Sequence, residues 1–287
     1  MFELDVDGYL ARLGFDRGGL ARPGPPSAEG LAELQRAHLQ RVPYENLDIQ
    51  LGRATTINPY QSAARIIAGR GGYCYHLNGA FALLLSALGY SVRWHVAGVQ
   101  MRGESPAPAS GNHLGLTVHG LPARGNPDGM WLVDVGLGDG PFAPLPLRAG
   151  EFNEGPFRYA LAPSTVELLG WRFTHDPAGS FAAVELRADP AVQSDFTQMH
   201  EYLSTSPGSS FVRTLSVMRR DERGVDVLRG RVLHRLPTGG FRELTSAEEW
   251  YSALADVFGI RLPELGGYER DGLWRRVCTA HDAWQNA

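Results

Sequence analysis

Cysteine attacks a carbonyl as its thiolate, so a catalytic cysteine needs a base and surroundings that favour an anion. One stretch supplies the setting: Arg70-Gly71-Gly72-Tyr73-Cys74-Tyr75-His76-Leu77-Asn78. Its glycine pair delivers Cys74 to the start of a run in which Leu77, Phe81, Leu84 and Leu88 recur at helical spacing, burying one face, and Gly89 closes that run. Cys74 is thereby expected in a first helical turn, where unpaired N–H groups and the helix dipole favour negative charge. The base is His113, in Gly111-Asn112-His113-Leu114, at the mouth of a strand behind a loop. Asp134, in Trp131-Leu132-Val133-Asp134-Val135, is an acid inside an apolar strand, which costs roughly several kcal/mol unless it is partnered. An imidazole suits it: the carboxylate accepts from one ring nitrogen and leaves the other facing the thiol. Together Cys74, His113 and Asp134 follow the logic of the serine-hydrolase triad with a softer nucleophile. Taken singly, each has a plainer reading, as a small core residue, a satisfied strand histidine and a turn cap.

Composition narrows the alternatives. Of 287 residues 43% are hydrophobic and 20% charged, as in a soluble globular protein. No apolar run reaches membrane-spanning length, Met1-Phe2-Glu3-Leu4-Asp5 does not read as a signal peptide, and a net charge of −4 gives no reason to expect nucleic acid. Two cysteines without a secretion signal point to reduced thiols and the cytoplasm. Every basic residue among the 27 is arginine. Without lysine there is no Schiff-base chemistry and no Walker-type phosphate loop. His-Glu-x-x-His and paired Cys-x-x-Cys are absent. His113 and His119 share a strand face but lie about 20 Å apart, too far for one metal ion, so no metal is expected.

The elements that must position the three residues fall into blocks. Residues 1–90 read as helical: a short amphipathic segment at Leu4–Leu13, a Gly/Pro loop at Gly18–Pro26, a helix capped by Ser27 with Leu31, Leu34 and His38 on one side, a polar corner at Val42–Asp48, and a helix at Pro59–Ala68. Residues 91–194 turn to a period of two, with strands near Val92–Val96, His113–Val118, Met130–Val135, Arg158–Leu161, Gly170–Phe173 and Phe181–Leu186. Residues 195–287 mix types: a helix near Phe196–Leu203, strands near Phe211–Met218 and Val225–Leu236, then a helix started by the capping box Thr245-Ser246-Ala247-Glu248. This is an α+β chain with a small antiparallel sheet or barrel in its middle.

The order Cys, His, Asp (74 to 113, 113 to 134) resembles the arylamine N-acetyltransferase family, whose nucleophile lies in Arg-Gly-Gly-x-Cys-x-Glu-x-Asn. Val42-Pro43-Tyr44-Glu45-Asn46-Leu47 is similar to that family's Pro-Phe-Glu-Asn-Leu, and Asp134-Val135-Gly136-Leu137-Gly138 to its Asp-Val-Gly-Phe-Gly. Tyr202-Leu203-Ser204-Thr205 with Ser210-Phe211 matches a further segment. His76 stands where the family has Glu, and Leu137 where it usually has Phe. The resemblance implies an N-terminal helical bundle (1–90), a β-barrel carrying His and Asp (91–194) and an α/β lid (195–287). It also implies ping-pong transfer of an acetyl or other short acyl group from coenzyme A to an arylamine or arylhydrazine, with acetyl-CoA as co-substrate and no tightly bound cofactor. Pyrophosphate binding is expected from Ser110-Gly111-Asn112 or from Gly136-Leu137-Gly138, with arginine. The alternatives are an amide synthase on the same scaffold, taking a polyketide from an acyl carrier protein, a transglutaminase-like or hydrolytic cysteine enzyme, and a binding protein with an idle triad. Three further expectations concern charge. Arg70 and Glu45 pair to fix the cysteine turn. His76 is either a neutral or cationic side chain that alters the local hydrogen bonding, favouring the thiolate if protonated, or a solvated helix residue with no role. The arginines from 213 to 235 are a coenzyme surface or simply a solvated face.

Overall fold

Leucine spacing and caps account for the first block. In the structure, a computed structural model describing residues 3–15 and 20–285, helix α1 is Val6–Arg12 and α2 is Ala28–Arg41. Met1, Phe2, Gly18 and Gly19, which entered the reading of the N-terminus and the first loop, lie outside the described residues. Ser27 caps α2 by accepting the Gly30 N–H at 3.0 Å, and Leu31, Leu34 and His38 are buried. Then come strand β1 (Tyr44–Glu45), α3 (Leu47–Gln50), α4 (Pro59–Ile67, with Pro59 opening the helix) and α5 (Cys74–Ala87). Helix α5 differs from the one-faced helix expected of it. Cys74 to Ala82 are buried on every side, so α5 is a core helix with bundle on one flank and sheet on the other.

The middle block is an antiparallel sheet of eight strands, curled into a nearly closed barrel. Its strands are β2 (Ser91–Gln100), β3 (His113–His119), β4 (Trp131–Val133), β5 (Leu145–Pro146), β6 (Gly150–Glu154), β7 (Phe157–Pro163), β8 (Trp171–Thr174) and β9 (Ala183–Pro190), in the order β5-β4-β3-β2-β9-β8-β7-β6. Register places His113 opposite Ala97 and Val133 opposite Leu116, so His113 and Asp134 sit at the same end of neighbouring strands. Strands β5 and β6 carry too little alternation to be legible beforehand.

After a 3-10 turn (Gln193–Phe196) follow α6 (Thr197–Thr205), α7 (Ser210–Arg213), β10 (Ser216–Asp221), β11 (Gly224–Arg229), β12 (Val232–Leu236), β13 (Arg242–Glu243), α8 (Ala247–Asp256) and α9 (Gly267–Gln285). Phe211–Met218 is therefore not one strand. Ser209 caps a turn of helix by accepting the Phe211 N–H at 3.1 Å, and pairing starts only at Ser216. Helix α9 went unread, although Leu273, Val277 and His281, each four residues apart, form its buried face. Nor is the first block purely helical. β1 pairs with β10 as the edge strand of the C-terminal sheet, with Tyr44 opposite Met218 and Glu45 opposite Val217.

Candidate active site

Two glycine contacts set the cysteine in place. A Cβ on Gly71 would stand 1.8 Å from the Pro43 carbonyl oxygen, and one on Gly136 would stand 2.7 Å from the Cys74 Cα. Only a chain without side chains there lets the Arg70–Tyr73 turn press on β1 and the loop after β4 press on α5. The turn is also stitched: Glu45 N–H donates to the Gly72 carbonyl at 2.9 Å, and Tyr73 N–H donates to His76 Nδ1 at 3.3 Å.

The structure brings Cys74, His113 and Asp134 together, all buried. His113 Nε2 donates to Asp134 Oδ2 at 2.6 Å, and the Cys74 sulfur is near enough to the ring to favour its charged form. The Cys74 Sγ also lies 3.6 Å from the Asn112 carbonyl oxygen. Burial alone would strip His113 of its proton. The Asp134 carboxylate and its hydrogen bond outweigh burial, the Cys74 sulfur adds to them, and the imidazole is raised to about 10. An imidazolium at neutral pH is a standing partner for a thiolate.

Asp134 is held in turn. Its Oδ1 accepts from Asn78 Nδ2 at 3.1 Å and from the Gly136 N–H at 2.8 Å. Asn78, one turn into α5 from the cysteine, also donates to the Leu114 carbonyl at 2.7 Å and accepts the Val135 N–H at 2.8 Å. One amide thus fixes cysteine helix, histidine strand and aspartate strand together. Gln35 of α2 lies 3.4 Å from the Asp134 N–H and donates to Pro141 at 3.0 Å. Asn78 stood inside the quoted motif but had no assigned task, and nothing in the sequence marked Gln35.

The ion pair at the turn is wider than expected. Arg70 reaches Glu45 at 3.0 Å as the motifs suggested, but Arg65 reaches the same oxygen at 2.7 Å and also grips Asp48. Burial would keep Glu45 protonated; Arg70, Arg65 and the Leu47 N–H prevail, and its carboxyl is lowered to about 2. His76 is the neutral side chain that reshapes local hydrogen bonding, accepting the Tyr73 N–H at 3.3 Å, not the solvated residue or the cation. It is buried, and burial with Arg65 nearby pushes it down to about 3. Asn46 explains why its motif meets the lid: it donates to the Phe211 and Thr214 carbonyls, each at 2.9 Å, and accepts the Ser216 N–H at 2.8 Å.

A pocket of about 450 Å³ opens onto Cys74 and His113, walled by Tyr44, Leu137, Phe181, Leu203, Phe211 and Met218. Of the residues expected to bind coenzyme, Ser110, Asn112, Gly136 and Leu137 line it, and Gly111 and Gly138 do not. Asn112 spends its amide on both backbone groups of Val99, at 2.7 and 3.1 Å, and Gly111 N–H bonds to Ala97. Gly138, at φ +82°, packs under Met218 Sδ. Those two glycines shape the backbone rather than the lining. The arginines divide: Arg220 is buried, over the rings of Phe142 and Phe157 at 5.4 and 4.7 Å, whereas Arg229 is exposed at the pocket. Among the described residues no helix is long and apolar enough to cross a membrane, and no group of three or more His, Cys, Asp or Glu could hold a metal ion.

The N-acetyltransferase family model matches residues 27–265. An arylamine N-acetyltransferase of Mycolicibacterium smegmatis is 32% identical over 277 residues, covering 92% of this chain and 94% of the relative. The chain belongs to the arylamine N-acetyltransferase family. The family's solved structures agree in fold. The enzyme of Nocardia farcinica superposes with a TM-score of 0.81 at 32% identity, over 95% of this chain and 94% of its own. That of Mycobacterium marinum in complex with CoA gives 0.81 at 28%, over 96% and 99%. Membership makes the chain an acyltransferase enzyme.

Proposed function

We propose that this chain moves an acetyl group from acetyl-CoA to an aromatic amine or hydrazine in two half-reactions through Cys74. The observation that carries the reading is the gathering of Cys74, His113 and Asp134, with His113 hydrogen-bonded to Asp134 and both Cys74 and His113 opening into an apolar pocket of about 450 Å³. In the first half-reaction the Cys74 sulfur attacks the thioester carbonyl, the tetrahedral oxyanion collapses, and coenzyme A leaves as its thiol with the proton from His113. In the second, the amine attacks the acetyl-cysteine thioester, His113 takes its proton, and the cysteine sulfur is expelled. The oxyanion is met by the Cys74 N–H, which as a first-turn amide has no carbonyl four residues back, with a second donor near Leu137. A thiol nucleophile suits a thioester donor because the two sulfurs leave about equally well. The CoA complex of the Mycobacterium marinum relative supports the donor assignment.

Intact mass spectrometry after mixing with acetyl-CoA tests it. One added acetyl group, lost in Cys74→Ser and discharged by an arylamine, is expected. No added mass at a Cys74 that iodoacetamide still alkylates faster than Cys278 would sink the coenzyme A assignment and favour a carrier-bound acyl donor on the same scaffold.

A further inference from the structure

Beside the pocket, and apart from the triad, lies a second buried acid and imidazole. Asp139 and His175 are both buried, inside a cage of aromatic rings. Phe181 meets the His175 ring edge-on at 4.3 Å, with Tyr159 at 5.5 Å and Phe173 at 5.9 Å. His175 Nε2 lies 3.0 Å from the Asp139 carbonyl oxygen and 3.6 Å from its carboxylate Oδ1. A Cβ on Gly179 would fall 1.9 Å from the same ring, so the loop closes tightly over it. Nothing in the transfer chemistry uses this pair. Burying it must be offset by what it holds, and what it holds is Ser180: the Ser180 N–H donates to Asp139 Oδ2 at 2.6 Å, and the Ser180 hydroxyl donates to Oδ1 at 3.0 Å. Burial would raise the Asp139 carboxyl, but His175 and Ser180 hold it below the usual carboxylate range, so it stays an acceptor only.

Ser180 and Phe181 form part of the pocket wall. An ordinary surface serine turns its proton to either side. Here the proton is committed to a buried carboxylate, and the hydroxyl oxygen of this pocket-lining residue is left with lone pairs alone to offer a ligand. We propose that Ser180 is a specificity-determining residue whose hydroxyl oxygen accepts a hydrogen bond from a substrate N–H. The inference rests on the transfer reading above and refines it. Two N–H sources fit the chemistry: the amides of the pantetheine arm that delivers the acetyl group, and the N–H of the amine or hydrazine that receives it. A ping-pong scheme separates them, because each substrate has its own kcat/KM.

The test uses the full chain with Ser180→Ala and Asp139→Asn. Cys74 is acetylated either by acetyl-CoA or by p-nitrophenyl acetate, a donor without any N–H. If the pantetheine amide is the partner, Ser180→Ala lowers the ratio of kcat/KM for acetyl-CoA over p-nitrophenyl acetate roughly tenfold, as for one lost hydrogen bond. If the acceptor is the partner, that ratio holds and kcat/KM for the arylamine falls roughly tenfold instead. Asp139→Asn turns the Ser180 proton outward, because the new amide can donate to the oxygen, and the loss should appear on the same substrate as in Ser180→Ala. Equal losses on both donors and the amine, or no loss on any, would overturn the assignment. Should the wild-type chain take no acetyl group from acetyl-CoA, the transfer reading falls, and the amine arm run from p-nitrophenyl acetate still decides Ser180.

Discussion

Asp134 does two things for His113: it sets the ring's orientation and it keeps the ring charged. Asp134→Asn removes both. By analogy with the serine triad, kcat/KM for acetyl-CoA should fall by about 10³ to 10⁴, with Cys74 still present in the mass spectrum. The charge has a stability counterpart. His113 is raised from 6.5 to about 10 on folding, so its contribution is complete below 6.5 and is lost as pH rises through about 10. Urea midpoints measured from pH 7 to 10.5 should fall with pH in the wild type and flatten in Asp134→Asn; equal slopes would show that the carboxylate does not hold the proton. At this scale the sequence was most readable. A cysteine after two glycines, a histidine at a strand mouth and an acid among valines each violate their local pattern. Residues that obey theirs stayed hidden: Gln35 is one more polar residue on an amphipathic helix, and its contact with Asp134 spans 99 residues.

Among the elements, the join between α5, β3 and the loop after β4 depends on Asn78 and Gly136. Asn78→Ala leaves the Asp134 Oδ1, the Leu114 carbonyl and the Val135 N–H short of a partner, which should cost about 1–3 kcal/mol in urea unfolding. Gly136→Ala forces the loop off the cysteine helix, and activity should fall by more than stability does. The turn before α5 rests on Glu45 between two guanidinium groups. Glu45→Gln removes the buried carboxylate that Arg65 and Arg70 share, but Asp48 still faces both. The expected loss is therefore below the roughly 3–5 kcal/mol of a buried pair left without any partner, and Arg70→Ala costs less again because Arg65 remains. A cycle combining Arg70→Ala with Glu45→Gln should show coupling; additive losses would refute the pairing. Helix positions followed from leucine spacing and caps, as at Ser27 and Gly89. Strand positions followed where alternation ran long, as in β2 and β3, and failed where a side-chain cap overrode it, as at Ser209. Arg220 was unreadable for a similar reason: its aromatic bed comes from residues 142 and 157, far away in sequence.

For the molecule as a whole, acid is the weak side. His38 and His76 are buried and each is pushed down to about 3, so in the folded chain they stay neutral where the unfolded chain would protonate them. Their contribution is complete above 6.5 and is lost progressively as pH falls toward 3, by about 1.4 kcal/mol per histidine for each pH unit crossed. Glu45 joins lower down: its contribution is present above 4.5 and disappears as pH falls through about 2. Melting temperatures should therefore drop steadily from pH 6.5 downward, and His76→Gln should make that decline shallower. An unchanged decline would mean that the ring takes up its proton without unfolding.

The two residues of β1 carry a consequence for any attempt to cut the chain up. Tyr44 and Glu45 come from the first ninety residues, yet they seal the rim of a sheet built from residues 216–243. A fragment beginning near residue 195 would expose the bare flank of β10, with its backbone amides seeking any passing strand. Such a piece, made by itself, should clump, and supplying residues 1–194 in trans should dissolve it.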